Sequence, residues 1–124
     1  MEVRHARFAD VVVVSVAGRV DHGTSEDLKK ALTPHLERCA KGQDHVILDF
    51  EGVDYISSAG LRVLMLAAKQ AKAQNGSLAL AAIQPLVREI LEISKFTLVL
   101  RTEPTVRAAM STASAAALAA FDGR

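Results

Sequence analysis

Val46-Ile47-Leu48-Asp49-Phe50-Glu51-Gly52-Val53-Asp54-Tyr55-Ile56-Ser57-Ser58-Ala59-Gly60-Leu61-Arg62-Val63-Leu64 is the stretch that decides how this chain is organised. Residues 46–50 read as a buried strand, Glu51–Ile56 as a short polar loop, and the segment from Ser58 as the start of an amphipathic helix. The two serines fall where the first N–H groups of that helix lack partners, at the positive end of its dipole. A phosphate on Ser57 or Ser58 is tolerated there and alters the charge of the surrounding surface. Such a hydroxyl reads as a switch rather than as a catalytic centre.

Outward from this stretch the chain alternates strands and helices. Val3–Phe8 and Val11–Val16 read as an antiparallel hairpin, the second strand so rich in valine that both its faces must be covered. Ala17-Gly18-Arg19-Val20-Asp21-His22-Gly23 reads as a turn. Thr24 or Ser25 then caps a helix with Leu28, Ala31, Leu32, Leu36 and Cys39 on one face, kinked or split at Pro34 and stopped near Gly42. The helix from Ser58 reaches about Gln74, with Leu61, Leu64, Met65, Ala68 and Ala71 inward and Arg62 toward water. Ser77–Ala82 reads as a strand, Pro85 opens a short helix, Phe96–Leu100 is a last strand, and Pro104 opens a helix to about Phe121. The order ββαβαβαβα predicts an α/β domain spanning residues 1–124, a mixed sheet of about five strands with about four helices on it. Val106, Ala109, Met110, Ala113, Ala117 and Phe121 form a shallow stripe that is expected to pack on the chain's own sheet.

Composition narrows the function classes. At 124 residues and 50% hydrophobic the chain can bury a core, and with 4% aromatic residues and no Trp that core is aliphatic. Fifteen basic and 14 acidic residues nearly cancel, and no basic stripe points to nucleic acid. The lone Cys39 reads as a small buried hydrophobe. No signal pattern and no apolar run of about 20 residues is present, so a cytoplasmic protein without a membrane span is expected.

Catalytic arrangements are thin. His5, His22, His35 and His45 have no metal-ligand spacing, and neither a Gly-x-Gly-x-x-Gly nor a Walker loop occurs. Ser58 as a hydrolase nucleophile would need Asp21-His22 brought beside it by the fold. The plain alternative for either serine is a helix cap, worth about 1 kcal/mol. Asp54 reads equally as a loop acid and Asp21 as a turn residue.

Ala17-Gly18-Arg19-Val20-Asp21 and the run from Val46 to Leu61 resemble the anti-sigma factor antagonists of the STAS class (sulfate transporter and anti-sigma factor antagonist domain). The resemblance implies a non-enzymatic protein with no cofactor and no metal. Its unphosphorylated form would bind an anti-sigma factor that is also a serine kinase and free the sigma factor. Phosphorylation at the switch serine would end that interaction, and a metal-dependent protein phosphatase would restore it. With Gly60-Leu61 setting the register, the switch position is Ser58, with Ser57 as the alternative. Ser57 stands where many members have Asp, and Arg62 where close relatives often have Gly. The implied partner surface comprises Asp21, His22, Asp54, Ser57, Ser58, Gly60 and Arg62, with Asp21 and Asp54 expected to make it acidic. Domains of this class also serve as scaffold subunits in lipid-transport and stress-signalling complexes, where the serine can be structural.

Overall fold

Four consecutive valines, Val11–Val14, are all buried, which a strand achieves only when both faces are covered. The computed structural model describes residues 1–124 and shows what covers them. β1 (Glu2–Phe8) and β2 (Val11–Val20) form the antiparallel hairpin. There follow α1 (Ser25–Glu37), β3 (His45–Ile56), α2 (Ser58–Ala73), β4 (Leu78–Ala81), α3 (Pro85–Ile93), β5 (Arg101–Glu103), α4 (Val106–Ala113) and α5 (Ala115–Asp122). The sheet order is β1-β2-β3-β4-β5, and every pair after the hairpin is parallel. Because the strands advance in one direction, right-handed crossovers lay α1, α2 and α3 on the same face.

Strand alternation sends Val12, Val14 and Val16 into the larger core, where Leu28, Phe50 and Leu64 pack. Val11 and Val13 face the smaller core with Ile47, Ala109, Met110 and Ala117. The alanine-rich end therefore packs on the chain's own sheet, as its stripe of small residues predicts. Phe8 meets Phe121 edge-on at 5.3 Å, and Arg107 holds Asp122 through two bonds of 3.0 and 2.9 Å.

Several boundaries differ from the sequence reading. Ala17–Val20 belongs to β2 rather than to a turn, and Glu51–Ile56 continues β3 rather than forming a loop. β3 carries an extra residue at two places, since Ser15 faces Asp49 but Ala17 faces Gly52, and Gly18 faces Val53 but Arg19 faces Tyr55. These bulges keep the strands paired while breaking the alternation by which a strand is recognised. Gly18, at φ +103°, occupies a conformation that side chains disfavour.

Phe96–Leu98 is a 3-10 turn with Phe96 buried, and the last strand begins only at Arg101. The C-terminal helix starts after Thr105, not at Pro104, and breaks at Ser114, giving five helices rather than four. Ser114 accepts the Ala117 N–H at 3.1 Å and donates to Asp10 at 2.6 Å, so one hydroxyl caps α5 and ties it to the β1–β2 turn. α1 runs through Pro34 unbroken and ends at Glu37, short of Gly42. At that point the proline removes one bond close to the helix end, where few remain to be lost. Cys39 lies just past the helix, fully buried, with its thiol donating to the Ser77 carbonyl at 3.3 Å.

Two of the four histidines do meet. The rings of His5 on β1 and His35 on α1 stand 4.8 Å apart. Burial lowers the His35 pKa, and the neighbouring His5 and Arg7 lower it further against an upward pull from Asp44. A histidine that protonates more readily unfolded than folded costs stability as pH falls below about 6.5. The urea midpoint should therefore drop between pH 7.5 and 5.5, and His35→Gln should shrink that drop. An equal drop in both proteins would contradict this assignment.

Candidate functional site

The first turn of α2 is assembled by its neighbours. Ile56 ends β3 fully buried, and the Ser57 N–H donates to the Val20 carbonyl at 2.8 Å, tying the end of β2 to the start of the helix. Ser57, extended at ψ 173°, is the N-cap, and its Oγ accepts the Gly60 N–H at 3.2 Å. Gly60 permits this fit, because a Cβ there would lie 2.7 Å from Val20 Cγ1 and 2.8 Å from Ile56 Cγ1. The helix thus starts pressed against two strand ends. Ser58 is left on the outside, exposed, with no side-chain hydrogen bond.

The turn between β2 and α1 faces this helix start. The Asp21 N–H donates to Thr24 Oγ1 at 2.9 Å, the Thr24 N–H returns a bond to Asp21 Oδ1 at 3.0 Å, and Thr24 Oγ1 donates to the Arg19 carbonyl at 2.9 Å. The Thr24 N–H is the main cause of an Asp21 pKa below the usual carboxylate range. Desolvation works the other way, and the Thr24 hydroxyl, the Gly23 N–H and Arg19 add to the lowering. Arg19 also lies over the Tyr55 ring at 4.0 Å, joining the turn to the end of β3.

Between α1 and α2 runs an open groove into which Ser58 faces. His22, Lys29, Arg62 and Leu66 line it, with Ser25 and Glu26 on the α1 side. Of the residues singled out from sequence, His22, Ser58 and Arg62 meet in this groove, while Ser57 and Gly60 do not line it and instead fix the start of the helix that carries Ser58. Asp21 stands behind it, its carboxylate committed to the turn. Asp54 is an exposed, unopposed bulge residue on β3 and does not line the groove. The two aspartates expected to make this surface acidic do not line the groove, whose charged side chains are Glu26, Lys29 and Arg62.

No Ser–His–Asp chain forms either: Ser58 and His22 share the groove without a hydrogen bond between them, and Asp21 bonds Thr24 instead of His22. No three His, Cys, Asp or Glu side chains gather in a way that could hold a metal ion. No helix is long and apolar enough to cross a membrane. Sequence reasoning missed Ser25, Lys29 and Leu66. The signal was the i,i+4 spacing of Ser25 with Lys29 and of Arg62 with Leu66, which sets two partly polar stripes on facing helices.

The family model described as "STAS domain" matches residues 3–109. A Bordetella bronchiseptica protein named as a candidate anti-sigma factor antagonist, BtrV, is 38% identical over 96 residues, spanning 77% of this chain and 80% of that one. Among solved structures, a candidate anti-sigma factor antagonist from Thermotoga maritima matches with a TM-score of 0.80 at 21% identity, over 89% of this chain and 92% of that one. The Bacillus cell fate determinant SpoIIAA in its phosphorylated form matches with a TM-score of 0.67 at 17% identity, over 91% of this chain and 100% of that one. At these identities the two structural likenesses show the fold.

The serines differ in their bonding, and so should their variants. Ser57→Ala removes a cap and should cost about 1 kcal/mol, whereas Ser58→Ala should stay within about 0.5 kcal/mol of the parent. Chemical unfolding of both checks this, and a greater loss for Ser58→Ala would reverse the assignment.

Proposed function

The chain belongs to the STAS domain family, and from that premise we propose that it is an anti-sigma factor antagonist switched by phosphorylation of Ser58. Unphosphorylated, it docks an anti-sigma factor that is also a serine kinase, and the sigma factor is released. The kinase transfers the γ-phosphoryl group of its own adenosine triphosphate to Ser58 Oγ, and a metal-dependent protein phosphatase later hydrolyses the ester. The chain is then substrate and partner, not catalyst. The observation that carries this reading is the contrast between the two serines. Ser57 Oγ is held by the Gly60 N–H, and Ser58 Oγ is free on the outside of the same turn. The name of the Bordetella relative supports the same reading.

Magnitudes favour a switch that acts on the complex rather than on the fold. A phosphate adds about −1.5 to −2 charge, which the helix start stabilises by about 0.3–1 kcal/mol. In a docked interface, mismatched charge costs several kcal/mol, and each 1.4 kcal/mol is about tenfold in affinity. Ser58→Ala should bind the anti-sigma factor like the parent protein, and Ser58→Asp should bind at least about tenfold more weakly. Calorimetry measures both, and equal affinities for the two variants would defeat the reading. Incubation with the kinase and adenosine triphosphate should place the phosphate on Ser58, and a phosphate found on Ser57 alone would defeat it too.

A further inference from the structure

We propose that the α1–α2 groove is an internal phosphate site, in which Arg62 and Lys29, with His22 beside them, receive a phosphate carried by Ser58 and bridge the two helices. This rests on the phosphorylation reading above and adds what the chain does with the group once it is there. Arg62 follows Ser58 by four residues on α2, which puts both side chains on one helix face about 5–6 Å apart at Cβ. Lys29 approaches from α1 across the same groove, and His22 from the preceding turn.

These cations are uncommitted. Of the nine arginines, Arg4, Arg7, Arg19, Arg38, Arg88, Arg101 and Arg107 each pair with a carboxylate, and Arg124 bonds a carbonyl and lies on the Phe121 ring. Arg62 alone has no such contact, and Lys29 has no ion pair either. Left unpaired in a groove beside a free hydroxyl, they supply what a phosphomonoester requires: a forked donor able to take two oxygens and a point charge for the third. The N–H groups of Ser58 and Ala59, first and second in the helix, have no acceptor within it and point the same way.

Glu26 is the one carboxylate lining the groove, against three groups that can carry positive charge. Behind them Asp21 is engaged by Thr24 and by Arg19, 3.4 Å away. The dianion therefore meets net positive charge at Ser58. Once it is held there, Arg62 and Lys29 are no longer available to acidic groups of a docked protein, and the groove is filled. Loss of the partner then follows from competition for two cations, with the backbone unchanged.

The test installs phosphoserine at position 58 of the full chain during translation, so that no kinase is needed, and follows its phosphorus resonance with pH. The second pKa of free phosphoserine is near 6, and nearby cations should depress it. We expect it about one unit lower in the parent than in the Lys29→Gln/Arg62→Gln double variant. A Lys30→Gln/Lys69→Gln variant, which loses the same charge outside the groove, should keep the parent value. Equal pKa values in the parent and the groove variant would overturn the proposal, as would an equal rise in the control. The serine switch is judged separately by the Ser58→Asp affinity, so either idea can fail without the other.

Discussion

The structure depends on a missing methyl group. Gly60 leaves a gap into which Val20 and Ile56 fit, and a Cβ there would lie under 3 Å from both. That contact lets α2 begin directly above the ends of β2 and β3. It also brings the Ser57 N–H onto the Val20 carbonyl and the Ser57 hydroxyl onto the Gly60 N–H. With residue 57 turned inward by these bonds, residue 58 has nowhere to point but outward. The exposure of one hydroxyl is thus a consequence of close packing two residues away. Filling the gap would overpack a buried corner, at a cost typically of about 1–3 kcal/mol.

Around this corner the molecule separates rigidity from charge. The long central strands β2 and β3 supply most of the buried side chains, and the core they form is predominantly aliphatic. The polar groups that carry the proposed switch lie on the rim, on the β2–α1 turn and along the open groove between α1 and α2. A charge added on the rim alters what another protein meets without disturbing packing beneath, because the nearest core atoms belong to residues already locked in place. On the proposed reading, this is how a chain with no catalytic constellation could come under a kinase's control. The free hydroxyl and the free cations are separate from the bonds that hold the fold.

Much of this was legible in the residues. The valine run and Ser57-Ser58-Ala59-Gly60-Leu61 are local patterns that predict their elements, and the strand-then-helix alternation holds as far as the helix opened by Pro85. What escaped was set by contacts distant in sequence. Glu51–Ile56 reads as a loop because two bulges shift its alternation, and only pairing with β2 makes it a strand. Ser114 reads as helix until Asp10, 104 residues earlier, holds its hydroxyl. The groove itself was invisible: Lys29 and Leu66 look like ordinary surface residues until α1 and α2 lie side by side. For the same reason the neighbourhood of Ser58 was expected to be acidic, whereas Asp21 is tied into its turn and Asp54 stands apart on β3.

The central claim is that a partner docks on the groove where Ser58 opens. Amide hydrogen exchange on the unphosphorylated protein, free and with its anti-sigma factor bound, tests it most directly. The account expects new protection on binding in residues 21–29 and 58–66, and little change in α3, β5 or α5. Protection confined to α3 and the exposed Leu98-Val99 turn, with the groove still exchanging as in the free protein, would contradict it.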